Sequence, residues 1–400
     1  MSLGISYMGT KRQLAEVVSR LISDCRHGAF LDAFSGMCSV GTAVAPSRQV
    51  WSNDLQHFAA YVASAQFCSK VTHPDSSSLA ETCHSFFSEN RRRLRFLHEE
   101  KLQREDVALK ARGTRRLAAL FEEAILAANG PCASHGSPSH DLFARRFAGT
   151  YWSLRQAIDI DSIRFALDYS LCHELISAEL HRWGVIGLCV ALSRCSTTTG
   201  HFAQPLLPKQ QNRARFVNQR LRDIWTEWLT ACGGLGAVGS TRWRSKNRVY
   251  RRDAIALLEE LTGECARPRV IYADPPYTKD QYSRYYHLYE TAVLYDHPAT
   301  SGRGLYRADR EVSIFCQKTK VEFAMEELIR RCADLRADFV LSYPTNGLFP
   351  ASRQRIPEIM TRYFRQSIKV IEIPHVHSTM GASKGPVRSD VTEVIYSVRP

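Results

Sequence analysis

Short apolar segments rich in β-branched and aromatic residues stand at both ends of the sequence, and a tract with helical periodicity, 73–242, separates them. On the N-terminal side a helical pattern over 11–22 leads to AFLDAF (29–34) and then RQVWSND (48–54). After the separation come NRVY (247–250), RVIYA (269–273) and DFVLSY (338–343). Strands that alternate with helical spacing predict βαβ units and a mainly parallel sheet. The last two segments, SIKVIEIPHVHS (367–378) and DVTEVIYSV (390–398), predict a terminal antiparallel pair added to that sheet. From His73 the sequence HPDSSSLAET opens as a helix N-cap would, and further helices are expected at 157–182 and 214–231. GPCASHGSPSHD (130–141) reads as an exposed loop and GGLGAVGS (233–240) as a flexible break. The expectation is an α/β domain built from 1–72 and 243–400, interrupted by a mostly helical inserted domain over 73–242. No internal repeat is present.

Charge sharpens this division. The chain carries 53 Lys+Arg against 40 Asp+Glu, a formal +13 over 400 residues. Residues 71–252 hold +10 of it, and 209–252 alone hold 11 Lys/Arg against two acids. Such density suits a phosphate-contacting surface, although a solvated basic face reads the same way. The 12 cysteines are scattered from Cys25 to Cys332 without a CxxC, which excludes a disulfide framework and leaves no metal site to expect. They suit the buried thiols of a reducing compartment. No segment approaches the length of apolar chain a membrane span needs, so a cytoplasmic protein with no membrane partner is expected.

The stretch RVIYADPPYTKDQYSRYYHLYE (269–290) is an apolar strand that stops at Asp274 and continues into Pro275, Pro276 and Tyr277. A buried strand ending in an acid places functional groups at the carboxyl edge of a sheet, where open α/β folds bind ligands. The Asp274 carboxylate and the Pro275 carbonyl can accept both hydrogens of a planar amino group, with Tyr277 stacking on the ring that bears it. An ordinary proline-rich turn is the plainer alternative.

These four residues resemble the Asp-Pro-Pro-Tyr motif of the S-adenosylmethionine-dependent amino methyltransferases, and further segments resemble other motifs of that superfamily. SYMGTKRQL (6–14) is similar to the cofactor segment of the Dam-like adenine DNA methyltransferases, with Tyr7 and Lys11 at the matching positions. FLDAFSGMCSVG (30–41) resembles their glycine turn; Asp32, Phe34 and Gly36 match, whereas Cys38 stands where glycine is common. In VWSNDLQ (50–56), Asp54 matches the ribose-binding acid, a position equally suited to a helix cap. NRVYRRDAIALL (247–258) makes Asp253 either a contact near the cofactor's adenine or a cap.

The order of these motifs, with a long insert before Asp274, resembles the Dam-like (alpha) group. The resemblance implies a Rossmann-like methyltransferase domain with a mixed, mainly parallel seven-stranded sheet, and assigns the insert to target recognition. It implies S-adenosylmethionine as cofactor, double-stranded DNA as partner, and transfer to N6 of a flipped adenine. A role in restriction-modification or phage-defence self-marking, beside a cognate restriction or defence protein, follows from the same resemblance. An RNA adenine-N6 methyltransferase and an inactive nucleic-acid-binding homologue remain the alternatives. Three features stay open at this level. Tyr282, Tyr285, Tyr286 and Tyr289 fit either a nucleic-acid opening or helix packing. His375 and His377 share a strand face without a third metal ligand. STTTGHFAQP (196–205) is either a contact loop or an ordinary one.

Overall fold

The computed structural model describes residues 12–130, 139–378 and 388–400. The chain runs through α1 (Arg12–Ser23), β1 (Phe30–Asp32), α2 (Ser39–Val44), β2 (Val50–Asp54) and α3 (His57–Cys68). Eight helices follow: α4 (Ser76–Leu97), α5 (Glu99–Lys110), α6 (Arg115–Ala128), α7 (Leu142–Arg146), α8 (Leu154–Cys172), α9 (Ala178–Cys195), α10 (Arg213–Arg220) and α11 (Ile224–Gly233). Then come α12 (Thr241–Arg244), β3 (Arg248–Arg251), α13 (Ala254–Thr262), β4 (Val270–Ala273) and α14 (Tyr282–Leu294). A two-stranded ribbon, β5 (Thr300–Ser301) and β6 (Tyr306–Arg307), precedes α15 (Val321–Asp334), β7 (Asp338–Pro344), α16 (Ser352–Tyr363), β8 (Lys369–Ser378) and β9 (Arg388–Val398).

Two compact units result. A sheet unit holds 12–72, 237–283 and 311–400, and a helical unit holds 73–236 and 284–310.

In the sheet unit seven strands lie in the order β3-β2-β1-β4-β7-β9-β8. The first five run parallel, and β9 lies antiparallel between β7 and β8, as the closing apolar segments predict. Register aligns Trp51, Leu31, Ile271, Phe339 and Val398 in one row across five strands. All five belong to the core that α13, α15 and α16 cover, with Leu257, Leu328 and Ile359 packed over them. Each such side chain, fully buried, contributes about 1.5–3 kcal/mol of apolar transfer. The charged exception at the amino end of β7 is Asp338, buried and held by the Arg26 backbone N–H (2.7 Å) and Nε–H (2.8 Å). Chain order runs from β1 outward to β3 and then back across to β4. The β1/β4 boundary is therefore a topological switch point, where the carboxyl ends of parallel strands leave a crevice.

The helical unit is organised around α8, whose residues are buried on nearly all sides, including Ile158, Ile160, Ile163 and Leu167. Ser153 starts it with a capping box to Gln156. At Gly187 of α9 an added Cβ would lie 2.4 Å from Cys232 Sγ, so only glycine permits this approach to α11.

Residues 284–310 belong to this unit, although the sequence reading placed them with the sheet. Tyr151 OH donates to the carbonyls of Phe202 (2.6 Å) and Gly304 (2.8 Å), and Arg164 Nη1 donates to the Ala292 carbonyl (2.5 Å). Tyr286 and Tyr289 are buried here, stacked at 6.2 Å, so of the two readings of that aromatic run they take the packing one. The 196–205 loop is likewise tied in: Thr197 N–H donates to the Tyr151 carbonyl (2.9 Å) and Phe202 N–H to that of Tyr285 (3.0 Å).

Most described cysteines are buried, and Cys172 and Cys265 are the exposed ones among them. No helix among the described residues is long and apolar enough to cross a membrane.

Candidate active site

Three parallel strands of the sheet unit each end in an aspartate. Asp32 closes β1, Asp54 closes β2, and Asp274 follows β4 directly. All three line one cavity at the carboxyl edge, together with Phe34, Gly36, Asp253 and Pro276. The side-by-side register of β1 with β2 and with β4 brings aspartates 22 to 242 positions apart in sequence to a single edge.

The turn after β1 is shaped by two left-handed residues. Gly36 (φ 47°) adopts this conformation at no steric cost and donates its N–H to Asp54 Oδ2 (2.9 Å). Cys38 (φ 61°) leads into α2 in the same conformation, which for a residue with a Cβ costs about 1–2 kcal/mol. The departure from glycine at this position thus leaves the turn's path intact. Asp54 Oδ1 takes the Gln56 N–H (2.9 Å), so both oxygens are oriented by backbone donors while the residue still borders the cavity.

Asp32 is buried, and its Oδ1 has no hydrogen-bond partner among the described residues. Burial pushes its carboxyl up to about 8, reinforced by the nearby charges of Asp274 and Asp54 and opposed by the Phe34 N–H. Burial likewise raises Asp54, against its backbone donors. The lining gathers Asp32, Asp54, Asp253, Asp274 and Glu311 with Arg252, an acidic cavity suited to a ligand bearing positive charge and hydroxyl donors. The residues present therefore fit S-adenosylmethionine, which offers ribose hydroxyls, an ammonium and a sulfonium.

Asp253 caps α13, Oδ1 accepting the N–H groups of Ile255 (3.0 Å) and Ala256 (3.2 Å). It also lines the cavity, so capping α13 does not withdraw it from the site. Pro275 is buried, whereas Tyr277 is half-buried against the sheet core and its carbonyl accepts the Leu348 N–H (2.8 Å). That bond fixes the Asp-Pro-Pro-Tyr segment to the loop after β7. Tyr7 and Lys11 lie outside the described residues. His375 and His377 fall on β8, with side chains outside the description.

Sequence reasoning missed the far wall of the cavity. Gln281 pairs with the Ser313 backbone through Nε2–H to the carbonyl (3.0 Å) and Oε1 from the N–H (2.8 Å), and Ser283 Oγ donates to the Glu311 carbonyl (2.7 Å). These residues line the cavity, and Phe34 meets Phe315 edge-on at 5.4 Å. Asn53 braces three strand ends, donating to the Ala33 and Arg252 carbonyls and accepting the Arg252 N–H, each at 3.1 Å. No local pattern marks Gln281, since its partner lies 32 residues away.

The basic tract 209–252 is divided between the two units, and eight of its eleven cations bind within the fold, Arg215 through the Thr198 carbonyl (3.4 Å). Arg220 and Arg244 are buried on backbone carbonyls, Arg213 holds carbonyls at the end of α5, and Arg222, Arg248, Arg251 and Arg252 face glutamates. The tract is a source of internal bonds more than a free surface.

Comparison with known proteins gives a consistent result. The sequence profile of the D12 class N6 adenine-specific DNA methyltransferases matches residues 7–224 and 256–337. The modification methylase LlaI of Lactococcus lactis subsp. lactis is 24% identical over 86% of this chain and 47% of its own length. The type II methyltransferase M.FokI of Planomicrobium okeanokoites is 26% identical over 86% of this chain and 45% of its own. A shorter match, 36% identical over 118 residues, joins 29% of the chain to the type II methyltransferase M.NlaIII of Neisseria lactamica. The chain thus spans about half the length of the first two relatives.

Proposed function

The chain belongs to the D12 class of N6 adenine-specific DNA methyltransferases, and from that premise we propose that it transfers a methyl group from S-adenosylmethionine to N6 of an adenine in duplex DNA. The observation that carries this reading is the gathering of Asp32, Asp54 and Asp274 in one cavity at the β1/β4 switch point.

In this reading Asp54 accepts from the ribose hydroxyls, and Asp32 Oδ1 takes a donor from the cationic amino-acid end. Gly36 lets the backbone approach, and Asp253 serves the adenine end while still capping α13. The bound cofactor supplies an electrophilic methyl on a sulfonium, an activated leaving group.

The exocyclic amine is a poor nucleophile because its lone pair is delocalised into the purine. Hydrogen bonds from its two N–H groups to the Asp274 carboxylate and the Pro275 carbonyl favour a pyramidal nitrogen with a localised lone pair. The nitrogen then takes the methyl, the sulfur keeps the electron pair as a thioether, and the nitrogen's surplus proton leaves to Asp274 and solvent. Because a base stacked in a duplex is out of reach, the adenine must flip, with Tyr277 beside it. Site-specific marking of DNA in the cytoplasm, alongside the nuclease of a restriction or phage-defence system, is the biological setting this chemistry suits.

The test is incubation with labelled S-adenosylmethionine and either duplex DNA or RNA, followed by digestion to nucleosides. Label in N6-methyladenosine of RNA alone, or none at all, overturns the reading. Asp274→Ala is expected to lower transfer at least about 10³-fold, in line with removal of a transition-state hydrogen bond plus orientation, while DNA affinity stays within a few fold.

A further inference from the structure

Some arginines of the helical unit are matched with acids. Arg104 meets Glu123 (2.9 Å), Arg155 meets Asp106 (2.8 Å), Arg303 meets Glu122 (2.9 Å) and Arg145 meets Asp141 (3.4 Å). The turn joining α5 to α6 carries a cluster that is not. Lys110, Arg112, Arg115 and Arg116 are all exposed there, and none has a carboxylate or hydrogen-bond partner among the described residues. No acid occurs anywhere from Val107 to Phe121, so the segment carries an uncompensated +4. Gly113 at its centre is exposed, with nothing within 4 Å of the space a Cβ would take.

The turn is also held in place. Ala108, Leu109 and Leu117 bury against Phe216 of α10, and Arg213 donates to the carbonyls of Leu109 and Ala111 where α5 ends. That guanidinium covers the carbonyls that would otherwise present the negative end of the α5 dipole, so the local field stays positive. Between the four cations lie only Ala111, Gly113 and Thr114, small residues that leave room for close approach and offer no aromatic face to a base.

We propose that the α5–α6 turn is a contact for the phosphate backbone of duplex DNA, positioning the duplex without reading its sequence. The proposal rests on the functional reading above and gives it a docking surface in place of the 209–252 tract. Four charges without partners fit a polyanion of high linear charge density, and a pinned turn presents them at little ordering cost.

The test compares wild-type protein with Arg112→Ala/Arg115→Ala/Arg116→Ala on a labelled random-sequence duplex across a salt series. The expected result is an affinity loss of about 10²-fold at low salt and a log K against log[salt] slope shallower by about 2–3, near 0.9 per phosphate released. The loss is the same on unrelated duplexes, and cofactor affinity and thermal unfolding match wild type. Unchanged DNA affinity and slope overturn the proposal, as does a loss confined to one sequence. A wild-type chain that binds no duplex DNA, or binds only RNA, sinks the functional reading and this surface with it. Wild-type DNA methylation combined with an unaffected triple variant sinks this surface alone.

Discussion

Two aspartates, one buried in the sheet unit and one half-buried in the helical unit, meet desolvation in opposite ways. Asp32 in the sheet unit has backbone donors and two neighbouring carboxylates, and its pKa rises to about 8. Asp168 in α8 of the helical unit is pushed upward by burial as well. There the hydrogen bonds of His140 (3.0 Å) and His181 (2.8 Å), with Arg164 at 2.9 Å, hold it well below the carboxylate range. A charge buried with its counter-charges is a structural fastening, complete without any ligand. An acid buried against like charges beside a cavity holds its proton until something positive arrives, which makes it a candidate binding group.

The comparison breaks most visibly at Arg164. Its side chain is nearly buried and also holds the Ala292 and Val293 carbonyls, so Arg164→Ala strips Asp168 of its arginine, leaving only the two histidines, and orphans two carbonyls. A loss of about 3–5 kcal/mol is expected, read by denaturant unfolding of the full chain. A loss below about 1 kcal/mol would remove the distinction between the two sites.

The sheet-unit half is tested by pH. Asp32 binds its proton more tightly folded than unfolded, so its contribution to stability is complete below about pH 4 and is lost as pH rises through about 8. Unfolding free energy without ligand should fall across that window, by up to several kcal/mol, and Asp32→Asn should flatten the profile. S-adenosylmethionine affinity, measured by calorimetry, should move the other way and rise over the same range as Asp32 ionises.

The smallest expected effect sharpens the picture of the turn itself. Cys38→Gly removes the left-handed penalty and a buried thiol together, so stability should change by no more than about 1 kcal/mol, with cofactor affinity retained. A large loss of affinity would mean the thiol, and not the backbone path, shapes the site.

Much of the sheet unit was legible because its information is local. Each of β1, β2 and β4 announces itself by an apolar run, and each supplies an acid at its own end, so the candidate site could be named before the strands were ordered. The closing pair β8 and β9 was legible for the same reason. The helical unit resisted because its decisive bonds join distant residues through carbonyls, which every residue possesses. Nothing near Tyr286 or Arg164 distinguishes a packed tyrosine or a clamped arginine from one facing a nucleic acid. Net charge misled in the same way: it counts guanidinium groups without saying that Arg220 and Arg244 are used up on the backbone, whereas Lys110 to Arg116 are not.

The distribution of thiols has a practical consequence. Burial pushes Cys38, Cys189, Cys232 and Cys332 upward and keeps them chemically quiet, while Cys172 lies exposed in the helical unit and Cys265 exposed in the sheet unit. With Cys132→Ser, a donor and an acceptor dye on these two native positions form a molecular ruler, able to time how the units respond when cofactor and duplex arrive in either order.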